Sequence, residues 1–154
     1  MSKVSAGLVM YRIREHLEVL LVHPGGPLWK NKDEGAWSIP KGEAGEGEEL
    51  LSAALREFTE ETAIVPRPPY TPLTPIKQKS GKTVHAWAFE GDCDPGIIRS
   101  NTFDMEWPPR SGKTATFPEV DRADFFDLAE GRRKLNPSQA AFLDELEQVI
   151  GMLD

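Results

Sequence analysis

A single cysteine, Cys93, rules out an internal disulfide and leaves no partner for a zinc site or a redox pair, so it reads as an unreactive thiol. No run of about 18 apolar residues occurs that could cross a bilayer. The opening Met1-Ser2-Lys3-Val4-Ser5-Ala6-Gly7 also lacks the sustained apolar stretch and cleavage site of a secretory leader. Together these absences point to the cytoplasm and away from a membrane. Positive charge is scarce: 18 basic residues face 25 acidic ones, a net charge of -7. Such a field repels a long polynucleotide. If an acidic protein is to handle phosphate esters, divalent cations held by carboxylates are the usual remedy for the repulsion. Gly-Lys-Thr occurs twice, in Ser80-Gly81-Lys82-Thr83 and Ser111-Gly112-Lys113-Thr114. The earlier glycine of a phosphate-cradling loop is missing from both, replaced by Ile76 and Trp107, so both are polar turns.

What is present suits a globular chain, with 39% hydrophobic and 28% charged residues. Its 154 residues are expected to form one domain over 1–154, enough to bury a sheet and two or three helices. Ser5–Ile13 and Leu17–His23 read as two strands of a hairpin with Arg14-Glu15-His16 as its turn. Pro24-Gly25-Gly26-Pro27 breaks regular structure, and a brief strand is expected at Trp37–Ile39. From Glu48 to Ile64 there is no Gly or Pro, and Leu51, Leu55, Phe58 and Thr62 recur at helical spacing as the expected inward stripe. Pro72–Lys77 and Thr83–Phe89 are predicted strands. Residues 91–118 are predicted to be a long loop with a short strand near Phe103–Trp107. Glu119–Leu128 reads as a last strand, and Asn136-Pro137 as the cap and first turn of a closing helix to Ile150.

The chemistry is concentrated at Arg56-Glu57-Phe58-Thr59-Glu60-Glu61, behind a Gly- and Glu-rich loop from Gly42 to Glu48. Glu57, Glu60 and Glu61 are separated by helical i+3 and i+4 steps and share one edge. Like charges so placed destabilise an isolated helix by roughly 0.2–0.5 kcal/mol per adjacent pair, which a bound cation would offset. Magnesium prefers oxygen ligands and shares its shell with water and phosphate, which suits two or three carboxylates in an open groove. Arg56 can pair with one of them and fix its direction. A merely solvated acidic face is the competing reading of these glutamates taken alone.

The wider pattern decides between those readings. Gly42, Glu48, Arg56, Glu57, Glu60, Glu61 and Ile64 match the signature G-x5-E-x7-R-E-U-x-E-E-x-G-U, where U is bulky and aliphatic, with Phe58 at the first U. The chain thus resembles the Nudix hydrolases, with Ala63 departing from the family's glycine. The resemblance implies an α/β fold, a Nudix-type α/β/α sandwich with a mixed β-sheet. It also implies metal-dependent cleavage of a phosphoanhydride bond in a nucleoside di- or polyphosphate derivative. By the same resemblance, Glu57, Glu60 and Glu61 are the metal ligands for Mg2+, with Mn2+ as the other choice, Arg56 orients Glu57, and Glu48 supports the loop. The proton acceptor is either a box glutamate or Glu119, which stands where a late-loop glutamate falls in the diadenosine polyphosphate group. Lys41 is a candidate phosphate contact.

For the substrate, Trp37-Ser38-Ile39-Pro40-Lys41-Gly42 and Lys82–Trp87 look like the asymmetric diadenosine tetraphosphate hydrolases. Ala86, however, stands where that group tends to carry a stacking tyrosine, which keeps a nucleoside triphosphate pyrophosphohydrolase in view. A noncatalytic nucleotide sensor is the reading of another class, and retention of every charged box residue argues against it. Trp29 and Trp87 are assigned to core packing in preference to stacking on a base, and His23 and His85 to packing.

Overall fold

The structure, a computed structural model, describes residues 3–151. Two long strands, β1 (Val4–Ile13) and β2 (Leu17–Pro24), form the predicted hairpin with Tyr11 opposite Val19. After a loop come β3 (Lys41–Glu43), α1 (Leu50–Thr62), β4 (Thr71–Pro72), β5 (Ile76–Lys77) and β6 (Thr83–Glu90). The chain continues through β7 (Thr102–Glu106), β8 (Thr114–Pro118), β9 (Val120–Asp127), α2 (Leu128–Lys134) and α3 (Ala140–Gly151).

The main sheet runs β4-β6-β1-β2-β9, with β3 added to β1 and β5 to β6. The β1–β6 pair is parallel and the other pairs are antiparallel, so the sheet is mixed. On the side away from β6, β1 changes partner along its length: Ser5, Ala6 and Gly7 face β3, whereas Tyr11, Arg12 and Ile13 face β2. Gly7 makes the close approach of β3 feasible. A Cβ there would lie 2.5 Å from Pro40 O and 2.6 Å from Lys41 Cβ.

Because strand side chains alternate, β1 and β2 supply both faces of the sheet. Leu8, Met10 and Leu20 pack with Ala53, Ala54 and Phe58 of α1, while Val9, Val19 and Leu21 pack with Phe142, Leu143 and Leu146 of α3. Helices thus cover both faces, which gives the expected α/β/α arrangement. Fully burying a side chain such as Phe58 contributes about 1.5–3 kcal/mol, so these two clusters anchor the frame.

Several expectations need correction. The inward face of α1 runs through Ala53, Ala54, Phe58 and Thr62; Leu51 and Leu55 are only half-buried at its flank. Two alanines let the helix lie close to the sheet, a preference that bulky-residue periodicity conceals. Trp37–Ile39 forms isolated bridges, Val22 with Ser38 and Trp37 with Leu135, in place of a strand. The predicted strand at Pro72–Lys77 divides into β4 and β5. The segment 91–118 is more ordered than a long loop, because β7 and β8 form a separate two-stranded sheet with Phe103 paired to Phe117. A short helix, α2, was not anticipated; Asp127 caps it by accepting from Glu130 N. Asn136 caps a single 3-10 turn, Pro137–Gln139, that leads into α3.

Candidate active site

The box helix starts after Glu49, whose backbone is extended, and it ends at Ala63, which lies in the left-handed region at φ 64. Ala63 closes the last turn through its N–H to Thr59 O at 2.8 Å. The family's glycine at this position is therefore explained by geometry, and alanine accepts the same conformation under steric load. Within the helix, Glu57 and Glu61 turn toward β3 and not fully outward. Glu61 Oε1 accepts from Lys41 N at 3.2 Å. The Glu57 carboxyl lies directly over Gly42, where a Cβ would stand 2.0 Å from Oε2. Gly42 thus leaves room for the acid in this position, a role that the sequence pattern alone does not explain.

Arg56 holds the helix and its preceding loop together. Its Nε and Nη2 donate to the two oxygens of Glu48, each at 2.9 Å, in the two-pronged geometry that guanidinium favours. Nη1 donates to Glu57 Oε1 at 2.8 Å and to Glu60 Oε2 at 3.1 Å, and Nη2 reaches Glu43 O at 3.2 Å. Arg56 therefore contacts Glu57 and Glu60 together. Glu48 is its main anchor, and the Glu48 carboxyl is held down at about 2 by Arg56 and by Gly45 N–H.

The remaining acids repel one another. Burial, then Glu119 and Glu57, pushes the Glu61 carboxyl up to about 8, against the opposing effect of Lys41. Glu57 is raised by burial, with Arg56 opposing and Glu60 and Glu119 adding to the rise. Glu119, between β8 and β9, is raised by burial and by Glu60. The late-loop glutamate thus shares one electrostatic field with the helix. Backbone bonds of 2.9 Å fix it there: Gly25 N donates to Glu119 O, Glu119 N to Asn101 O, and Asn101 N to Glu60 O. Asn101 escaped sequence reading because its contribution is purely backbone. Lys41 borders the group, its ammonium lowered by burial and by Lys82 while Glu61, Glu43 and Glu57 oppose that shift. Lys82 was not singled out as a site residue; it lies 3.5 Å from Glu43.

Four carboxylates, with no sulfur or imidazole among them, match the oxygen preference of a hard divalent ion. Among the described residues, no three acidic, histidine or cysteine side chains already converge to hold an ion. Arg56 draws two of the candidates to itself. Accommodating a metal therefore calls for side-chain rotation of Glu57 and Glu60 on a fixed helix.

The family model for the NUDIX domain matches residues 1–146. The chain belongs to the Nudix hydrolase family. As a Nudix enzyme it is a pyrophosphohydrolase acting on nucleotide derivatives, and such enzymes generally use divalent metals. Among solved structures it is similar to an Ap4A hydrolase binary complex from C. elegans, at TM-score 0.68 and 20% identity over 96% of this chain and 98% of that one. The NUDIX domain of NrtR from Shewanella oneidensis, complexed with ADP ribose, is similar at TM-score 0.65 and 19% identity, over 100% of this chain and 90% of that one. A mutT/nudix family protein from Listeria innocua gives TM-score 0.66 and 18% identity, over 97% and 94%. At these identities the likeness is one of fold. No curated protein matches.

The residues weighed for base stacking separate cleanly in this Nudix domain. Trp87 is half-buried against the α1 cluster, consistent with packing. Ala86 is buried on the α3 face, away from the box helix. Trp29, expected in the core, is 39% exposed. His23 is buried as expected, with Nδ1 facing Asp121 Oδ1 at 2.7 Å and Nε2 facing Lys32 O at 2.6 Å, so it ties the loop after β2 to β9.

Proposed function

We propose that this Nudix hydrolase cleaves a dinucleoside polyphosphate such as diadenosine tetraphosphate, with Glu57, Glu60 and Glu61 as ligands of Mg2+ or Mn2+. The observation that carries the reading is the gathering of Glu57, Glu60 and Glu61 on one helix edge, with Glu119 tied to the same helix through the backbone of Asn101 and Glu60. Burial, with repulsion from neighbouring glutamates, raises the Glu57, Glu61 and Glu119 carboxyls, against the opposing pull of Arg56 on Glu57 and Lys41 on Glu61. A divalent ion there would neutralise phosphate oxygens and lower the pKa of bound water. Arg56 keeps Glu57 and Glu60 on one side of the helix and prevents them from spreading. Glu119, being more basic than a free carboxylate, is suited to take the proton of an attacking water, and the box glutamates are the other acceptors. Lys41 offers a positive charge at the β3 edge, where a terminal phosphate would lie.

The second reading is a nucleoside triphosphate pyrophosphohydrolase, which rests on the departure of the sequence at Ala86 from the pattern of the tetraphosphate hydrolases. Both readings concern a small nucleotide, and with them we propose a single-domain enzyme of the cytoplasm. No helix of the described residues is long and apolar enough to cross a membrane. The test is product analysis in heavy-oxygen water, with diadenosine tetraphosphate set against normal and oxidised nucleoside triphosphates, with and without magnesium. Metal-dependent release of ATP and AMP, with the label on one of them, is the expected result. Robust triphosphate hydrolysis with an inert tetraphosphate would transfer the assignment to the second reading.

A further inference from the structure

Beside the acids lies a small cleft that the proposed reaction does not use. It holds about 180 Å3 and is lined by Gly25, Gly26, Leu28 and Trp29 on one side and by Phe103 and Met105 of β7 on the other. Leu28 is 63% exposed and Trp29 39% exposed, so two large apolar side chains face solvent together at its rim. Adjoining exposures of this kind mark a binding surface more often than isolated ones do.

The walls are preset. Gly26 adopts φ +97, and a Cβ on it would stand 2.9 Å from Phe103 Cζ, so the glycine admits the ring against the loop. Phe117, opposite Phe103 in the β7–β8 register, backs that ring with centroids 6.0 Å apart. On the other wall, Lys32 Nζ lies 5.2 Å from the centre of the Trp29 ring and brings positive charge to an otherwise apolar surface.

Position relative to the acids identifies the occupant. Glu60 O, Asn101 and Glu119 are joined to Gly25 by backbone bonds, so the cleft and the carboxylates share one strip of backbone. Phe103 is two residues beyond Asn101, roughly 7 Å along a strand. A volume of 180 Å3 is below the roughly 300–1,000 Å3 typical of pockets for whole drug-sized ligands. One flat ring system would fill it, with its sugar and phosphates outside. We propose that this cleft seats a nucleobase of the substrate, with Trp29 and Phe103 as stacking surfaces. The inference rests on the reading of the acids as a nucleotide-cleaving site, and it adds where the base is held.

The experiment combines turnover with direct binding. Base-on-aromatic stacking is typically worth enough that its loss weakens affinity roughly 5- to 150-fold. For Trp29→Ala, KM for the nucleotide substrate should rise within that range with kcat nearly unchanged. Hydrolysis of inorganic tripolyphosphate, which has no base, should be unaffected by the substitution, and Trp29→Phe should recover most of the loss. Independently of turnover, AMP should bind wild-type protein more tightly than ribose 5-phosphate does, and Trp29→Ala should abolish that preference. If the wild type cleaves no nucleotide but keeps this base preference through Trp29, the cleavage reading fails and the base seat stands. Equal KM for wild type and Trp29→Ala, or identical binding of AMP and ribose 5-phosphate, overturns the base seat. Binding of an apolar peptide in the cleft, unaffected by AMP, also overturns it.

Discussion

Replacing Glu61 by glutamine separates the stability cost of the site from its chemistry. In the folded protein the Glu61 carboxyl is pushed up to about 8 from an ordinary 4.5, by burial and then by Glu119 and Glu57. Between those values the native chain keeps a proton that the unfolded chain has lost. Stability of the metal-free protein is therefore fully present below about pH 4.5 and declines as pH rises through about 8. Each pH unit in that interval costs about 1.4 kcal/mol, so the whole interval sets a ceiling of roughly 5 kcal/mol. Glutamine retains an oxygen to accept from Lys41 N and carries no charge. Glu61→Gln should match wild type in acid and exceed it by roughly 3–5 kcal/mol near pH 9 when a chelator is present. Urea unfolding of both proteins across this pH range measures the difference directly. Excess magnesium should close much of the gap by stabilising wild type alone. Parallel pH profiles for the two proteins, or a variant that is weaker in alkali, would refute the reasoning.

Glu60→Gln should fold like wild type yet lose more activity than the roughly 10- to 100-fold typical of an outer-shell loss, as steady-state kinetics and thermal melts will show together. Gly42→Ala puts a Cβ 2.0 Å from Glu57 Oε2; since the carboxyl can swing away, stability should change little while the concentration of magnesium needed for half-maximal rate rises severalfold. Ala63→Gly should stabilise the chain by roughly 0.5–1 kcal/mol, because relief of the left-handed strain exceeds the added chain entropy, and calorimetry should register a rise of about 1–4 °C with kinetics unchanged.

Legibility in the sequence followed how local the causes were. Glu57, Glu60 and Glu61 could be placed on one helix edge from spacing alone, because helical geometry needs no distant partner. The β1–β2 hairpin was equally plain, since its turn and its two apolar runs adjoin. The hairpin of β7 and β8 was half seen: the Phe103 side was legible as a short strand, but Pro108, Pro109 and Gly112 hid its return. The parallel pairing of β1 with β6 brings together residues about 80 positions apart, and no periodicity reports it. The same distance effect misplaced Trp29, since an indole in an unpatterned loop gives no hint of which side meets water. Glu119 could be proposed only through family resemblance; three backbone bonds from Gly25, Asn101 and Glu60 are what bring it to the helix.

Arg56 already provides a resident cation for Glu57 and Glu60. A divalent ion held by Glu57 and Glu60 would have to compete with that guanidinium, so its affinity would be the difference between two attractions. The guanidinium meanwhile relieves the repulsion between the two carboxylates on their shared helix edge.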